Sequence, residues 1–277
     1  MDGSRSWRSF VGGEKRSTAG LGFWPGQDRK SASARELRCP TRECDPLMYA
    51  GDPANSLHPR RTRNKVTTMS VKEVPSDHDF FDPAYVKHWT DSISRYRPER
   101  QRLFEVFATE AARIGKDALS VFELGCGPGF LAEALLKNCQ IARYTLVDFS
   151  PQMLELSRSR LAKFKDRTVF IQADFKKNDW TDAVPAGFDL VASLQAVHEL
   201  RHASRIPKLY AQLYSLLVPG GKILICDHVN SSSPSGHRAA HFMTVKEHLS
   251  TFKEVGFIKA REICPAADLS LMGAEKA

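Results

Sequence analysis

Two stretches of the chain have residue types and spacing that could do chemistry. The first is Glu123-Leu124-Gly125-Cys126-Gly127-Pro128-Gly129. Glycines at alternate positions let the backbone turn tightly and approach a ligand closely. Asp148 follows at the end of the next apolar run, where a carboxylate can accept both hydroxyls of a ribose. A bare glycine loop also occurs in plain strand-to-helix turns, so its flanking elements decide its weight. The second stretch is His198-Glu199-Leu200-Arg201-His202, which has the HExxH spacing of zinc proteases. On a helix, that spacing would put both histidines on one face. It lies just after an expected parallel strand with no clear third ligand pattern, so no metal is expected there.

The elements that must position these residues follow from the hydrophobic pattern. Asp82-Pro83 reads as an N-cap with proline at the first helical position, and Tyr85 and Trp89 then share a face. Arg97-Pro98 ends that helix and starts another, whose apolar stripe is Leu103, Phe104, Phe107 and Ala111. Beyond it strands and helices alternate. Strands are expected at Leu119–Leu124, Tyr144–Val147, Val169–Ala173, Phe188–Leu194 and Lys222–Cys226. Helices are expected at Phe130–Lys137, after Ser150-Pro151, at Ile206–Leu217 and at Thr244–Val255. Two short strands around Pro265, Ile258–Ile263 and Leu269–Ala274, suggest a closing hairpin. The near-continuous apolar strands indicate a doubly wound α/β fold, a mostly parallel sheet covered on both faces.

The nucleotide can be narrowed. A dinucleotide fingerprint needs its third glycine at position 130, which is Phe130, so the spacing is GxGxG. That disfavours a nicotinamide-dependent oxidoreductase. No Gly-Lys-Ser/Thr follows, which excludes a P-loop. Residues 119–227 resemble the class I S-adenosylmethionine (SAM)-dependent methyltransferases, with Glu123–Gly129 similar to their first motif. The resemblance implies a seven-stranded, Rossmann-like sheet with an antiparallel C-terminal hairpin and SAM as cofactor. It implies that Glu123, Gly125, Cys126, Gly127, Gly129 and Asp148 line the cofactor site. It also places Asp174 against the adenine amino group, with Phe149 and Phe175 flanking the ring. The end of the fourth strand, Ser193-Leu194-Gln195-Ala196-Val197-His198, is where the family puts residues facing SAM and substrate. Gln195 is therefore assigned to the cofactor and His198 to catalysis, as a general base with an unperturbed pKa near neutrality. This stretch lacks the Asn/Asp-Pro-Pro-aromatic motif of methyltransferases acting on adenine or glutamine amides, which leaves a small-molecule acceptor. The rival of another class is a SAM-binding interaction module without catalysis.

Other residues are weaker candidates. His228, His237 and His241 could line a substrate pocket. Tyr85, Trp89 and Tyr96 could form a lid, and Arg95 and Arg97 could hold an anionic group.

Composition bounds the rest. The chain has 277 residues and a formal charge of +8. Residues 1–68 hold 13 Lys+Arg against 7 Asp+Glu, leaving only +2 on the remainder, so no nucleic-acid partner is expected. Residues 1–70, rich in Gly, Ser, Arg and Pro, carry no persistent period and read as a disordered tail before a domain spanning 71–277. That tail contains acidic residues, which argues against a mitochondrial transit peptide. No apolar run approaches the ~20 residues of a membrane span, and no secretory signal pattern is present. Six scattered cysteines without zinc-finger spacing suit a reducing compartment, so a cytoplasmic location is expected.

Overall fold

The structure is a computed structural model, and it describes residues 72–76, 78–230 and 236–277. The expected disordered tail lies outside these residues. Seven strands form one sheet: β1 (Leu119–Leu124), β2 (Ile141–Asp148), β3 (Thr168–Gln172), β4 (Phe188–Leu194), β5 (Leu217–His228), β6 (Phe257–Ala266) and β7 (Leu269–Lys276). Their order is β3-β2-β1-β4-β5-β7-β6, and β7 runs antiparallel to both its neighbours. The expected sheet and its closing hairpin are both present.

Seven helices are described: α1 (Pro83–Tyr96), α2 (Arg100–Ala112), α3 (Phe130–Asn138), α4 (Pro151–Arg160), α5 (Ile206–Leu216), α6 (Gly236–His241) and α7 (Val245–Val255). Caps fix their starts. Asp82 accepts from the Ala84 N–H, Ser150 accepts from the Met153 N–H, and Thr244 forms a capping box with Glu247. The two faces of the sheet bury alternate residues of each strand. Val121, Leu190 and Leu224 pack with Leu103 and Phe107 of α2 and Leu131 and Leu135 of α3. Phe122, Val191 and Ile225 pack with Leu209 and Leu213 of α5 and Phe252 of α7. This period of two, covered on both sides, is why the strands read as continuous apolar runs.

The topology sets the place of the site. The chain leaves β1 outward to β2 and β3, then returns on the other side of β1 as β4. Connections on opposite sides open a crevice at the carboxyl ends of β1 and β4, where such sheets bind nucleotides.

Some boundaries differ from expectation. Strand β2 begins at Ile141 because residues 141–143 extend the pairing with β1. Strand β3 ends at Gln172, so Asp174 lies two residues past it in a turn. Between β3 and β4 there is one 3₁₀ turn, Trp180–Ala183, whose Trp180 is buried against Phe122. The Pro219-Gly220-Gly221 turn is a register break within the long β5.

Candidate active site

The glycine loop lies at the crevice. Gly125, Gly127 and Gly129 all have positive φ, and two of them are held that way by contact as well as conformation. A Cβ on Gly125 would fall 2.2 Å from the Ala196 Cβ, and one on Gly129 would fall 2.5 Å from the Ser157 Oγ. At Gly127 a Cβ would meet nothing within 4 Å. That residue faces the open cleft.

Asp148 is tied to the loop. Its Oδ2 accepts the Gly127 N–H at 2.8 Å and its Oδ1 accepts the Ser150 N–H at 2.9 Å. Burial pushes its pKa up to about 6, against these hydrogen bonds. The cleft holds about 1000 Å³, including its open mouth. Gly125, Cys126, Gly127, Asp148, Phe149, Phe175, Gln195 and His198 line it. Asp174 borders an adjoining concavity, which Phe149 and Phe175 share.

Besides Asp174, two residues expected at the cofactor do not reach the cleft lining. Gly129 is the N-cap of α3, turned toward Ser157. Glu123 sits inside β1, fully buried, and accepts the Tyr144 hydroxyl at 2.6 Å. Burial raises its pKa to about 8, so it is a neutral acid at pH 7.

His198 is in the cleft wall, and its charge differs from the expectation of a free base. Its Nδ1 lies 2.7 Å from Asp227 Oδ1 and its Nε2 lies 3.3 Å from Glu199 Oε1. Burial opposes the charge, but the two carboxylates override it and push the pKa up to about 10. Asp227 is drawn down to about 2, with burial again opposed by the His198 cation. His198 therefore holds its proton at neutral pH, and accepting another is closed to it.

The HExxH pattern does not form a helical face. Residues Val197–Leu200 make one 3₁₀ turn, and Arg201, at φ +60°, ends it. His202 instead caps the next turn, its Nδ1 accepting from the Ser204 N–H. Among the described residues, no group of three His, Cys, Asp or Glu could hold a metal ion.

Residues missed or underweighted in the sequence complete the site. His228 also lines the cleft, its Nδ1 2.8 Å from Asp268 Oδ2 and its ring 5.0 Å from that of His198. Burial, joined by the nearby His198 cation, lowers its pKa. Arg97 holds Asp268 at 2.5 Å and also pairs with Glu99. Arg100, absent from the expected set, lies in the cleft wall and donates to Gln195 Oε1. The signal for it was a cation at the head of the α2 apolar stripe. His241 donates Nε2 to the His198 carbonyl at 2.8 Å. The side chain of His237 is outside the described residues. Arg95 and Tyr96 are exposed and Arg95 makes no contribution to the lining.

An N-terminal strap covers the mouth. Val74 exchanges backbone and side-chain hydrogen bonds with Arg201, and the Phe80 and Phe81 carbonyls accept from Ser150 and Gln152. This brings His78, Phe80 and Trp89 into the cleft lining, with Phe80 edge-on to Tyr85, Trp89 and Phe149. Tyr85 itself bonds His78.

Residues 121–221 match the family model described as a methyltransferase domain. Within the chain, residues 121–221 thus carry a methyltransferase domain. A trans-aconitate 2-methyltransferase of Paracidovorax citrulli is 35% identical to this chain over 164 residues, covering 58% of this chain and 54% of that one. The chain thus spans about half the length of the curated relatives it matches. An O-methyltransferase family protein from Burkholderia thailandensis has the same fold, with a TM-score of 0.58 and 15% identity over 71% of this chain and 60% of that one. Human N-acetylserotonin methyltransferase, solved with SAM, aligns with a TM-score of 0.55 and 17% identity over 74% of this chain and 60% of that one.

The cleft fits SAM by its own donor set. Gly127 leaves the space a side chain would fill, and the Asp148 carboxylate stands beside it. Phe149 and Phe175 supply aromatic surface next to Asp174.

Proposed function

We propose that this chain transfers a methyl group from SAM to a small-molecule acceptor. The observation that carries the reading is the Gly127–Asp148 hydrogen bond at the β1/β4 crevice, which fuses a glycine cradle to a ribose-accepting acid in one cleft. SAM supplies a methyl group on a sulfonium, whose charge makes the departing thioether a good leaving group.

The chain's residues do the positioning. Gly125 and Gly127 let the backbone approach the cofactor, Asp148 receives its ribose, and Phe149 and Phe175 flank its base. Gln195 orients groups at the end of β4. Phe80 and Trp89 close the mouth and exclude water. Holding the acceptor in line with the methyl carbon is the main catalytic contribution. The name of the trans-aconitate relatives supports a small carboxylic acid as the first acceptor to try.

A carboxylate acceptor arrives without a proton and needs no base. A hydroxyl acceptor can hand its proton to His228, which Asp268 holds in the tautomer with Nε2 unprotonated, provided the acceptor displaces the Gln195 amide that reaches this atom at 3.5 Å. His198, already protonated, positions Asp227 and Glu199 and places a cation beside His228. The free cysteines Cys126, Cys139, Cys226 and Cys264 suit a reducing, cytoplasmic setting.

Calorimetric titration with SAM and with NAD tests the reading. SAM binding at one site without NAD binding supports it, and NAD binding without SAM binding contradicts it.

A further inference from the structure

The sheet ends on two unlike strands. On one side the outer strand is β6, and its free edge is interrupted. Its register with β7 shifts between Ile258 and Arg261 and again between Glu262 and Cys264, and Pro265 follows. Lys259 stands at φ +56°, and Lys259, Arg261 and Glu262 add charge to the strand. Bulges, proline and charge are features that keep an outer strand from pairing with another chain. The other outer strand, β3, has none of them. Thr168-Val169-Phe170-Ile171-Gln172 pairs with β2 in unbroken register, without proline or charge. Among the described residues no second strand pairs with it. Phe170 packs into one face of the core and Ile171 into the other, yet both are only half-buried, so the strand is open along its edge.

Positive charge is concentrated around this edge. Residues 158–177 hold seven Lys or Arg against two Asp, a net of +5, while residues 69–277 together carry only +2. Everything else in 69–277 is therefore net negative. Arg158, Arg160 and Lys176 meet the carboxylates of Glu155, Glu133 and Glu73. Among the described residues Lys163, Lys165, Arg167 and Lys177 make no ion pair, and Lys163 and Arg167 lie over the Phe164 ring at 5.0 and 5.3 Å. Arg167 also donates to the Ile141 carbonyl. Cations thus stand before the strand, at 163–167, and after it, at Lys176 and Lys177, with an uncharged β-branched and aromatic run between them.

We infer that β3 is a docking edge for an acidic extended segment of another protein, which joins the sheet as a further strand. Main-chain N–H and C=O groups facing away from β2 supply the ladder, and the cations at both ends take the acids that flank the segment's core. Charge selects the occupant. A second copy of this chain would bring the same cations to the edge, and residues 1–68 carry a net +6, so like charge opposes both. The five residues of β3 span about 17 Å, which an extended core of about five residues matches. The strand lies outside the cleft lining, so the inference does not depend on the methyltransferase reading.

Three synthetic peptides, titrated against the full-length chain, test this. The first has a valine- and threonine-rich core of about five residues flanked by glutamates. The second has the same core flanked by lysines, and the third is the glutamate peptide with its core amides N-methylated. Fluorescence anisotropy measures binding, and amide hydrogen exchange locates it. The glutamate peptide binds, more weakly as salt rises, and slows exchange of amides within residues 168–172. The lysine and N-methylated peptides bind about tenfold more weakly or less, the first through lost charge pairs and the second through lost main-chain donors. A double variant, Lys163→Glu with Lys165→Glu, melts with wild type and weakens the glutamate peptide about tenfold, because two attractions become repulsions. No binding of the glutamate peptide, equal binding of its N-methylated form, or protection away from 168–172 overturns the inference. Self-association of the wild-type chain with protection at 168–172 would give the edge to a second copy and overturns it too. Binding of a single-stranded oligonucleotide without binding of the glutamate peptide would make the basic surface a nucleic-acid site, and likewise overturns it.

Discussion

His198 and Asp227 meet twice: the imidazole Nδ1 lies 2.7 Å from Oδ1, and the His198 backbone N–H donates to Oδ2 at 2.9 Å. One carboxylate therefore fixes both the charge of the ring and the turn that carries it. Asp227 ends the apolar run of β5, and His198 is the second residue of the turn after β4, so the pair also ties two adjacent strand ends together.

Asp227→Asn removes the anion and leaves a buried ring beside Glu199. Breaking a buried pair by losing one partner costs about 3–5 kcal/mol. The pH dependence has a definite sign. A raised histidine pKa contributes stability fully below 6.5, and that contribution is lost as pH rises toward about 10. The depressed Asp227 contributes fully above 3.8 and loses its part as pH falls toward about 2. Wild type should therefore lose more stability than Asp227→Asn between pH 7 and 10 in denaturant titrations. NMR of labelled histidine should show His198 charged at pH 7 in wild type and shifted toward neutral in the variant.

Asp148 braces the loop, and the proposed function makes it a ligand group as well. Asp148→Ala should weaken SAM by about 1–3 kcal/mol through the lost acceptor, and should also lower the melting temperature, because the Gly127 and Ser150 N–H groups lose their partner. A pKa raised to about 6 means the carboxylate is protonated below that pH. SAM affinity measured by calorimetry should fall as pH drops from 7.5 to 5. An affinity that is flat across this range is evidence against ribose recognition by the ionised acid.

The glycines of the loop should respond differently to alanine. Gly125→Ala drives a Cβ into Ala196 as well as straining a positive φ, so it should lose SAM binding and destabilise the fold together. Gly127→Ala meets no atom, so its folding penalty should be about 1–2 kcal/mol from φ alone, while the new methyl intrudes on the cofactor. Thermal melts paired with calorimetry distinguish the two cases.

A chain beginning at Met69 should melt within a few degrees of the full chain. Residues 1–68 have the composition of a segment that supplies no core, and the strap contacts of Glu73 and Val74 are retained. A large drop in melting temperature would assign that segment a structural role.

Much of the fold was legible because its strands are buried on both faces. Leu119–Leu124 and Phe188–Leu194 are found where their apolar runs start and stop. The edge strand β3 was less legible, since its residues are only half-buried and no sharp apolar boundary marks its end. The glycine loop and Asp148 were legible from local spacing. The charge of His198 was not, because it depends on Asp227, 29 positions away and brought close only by strand pairing. The link from His228 to Asp268 is longer still, at 40 positions. The HExxH spacing misled about helical facing because a left-handed Arg201 interrupts the turn, and arginine gives no advance sign of that conformation. Arg100 left a trace, a cation in phase with an apolar stripe, but spacing alone does not distinguish it from a solvated side chain.

The most direct test of methyl transfer uses SAM carrying a labelled methyl group, incubated with the wild-type chain and a panel of small carboxylic and hydroxy acids that includes trans-aconitate. The account predicts label in a small-molecule product, with S-adenosylhomocysteine formed in equal amount, and loss of both with Asp148→Ala. SAM binding at the cleft with no label transferred to any small molecule, from the panel or from a metabolite extract, would contradict it.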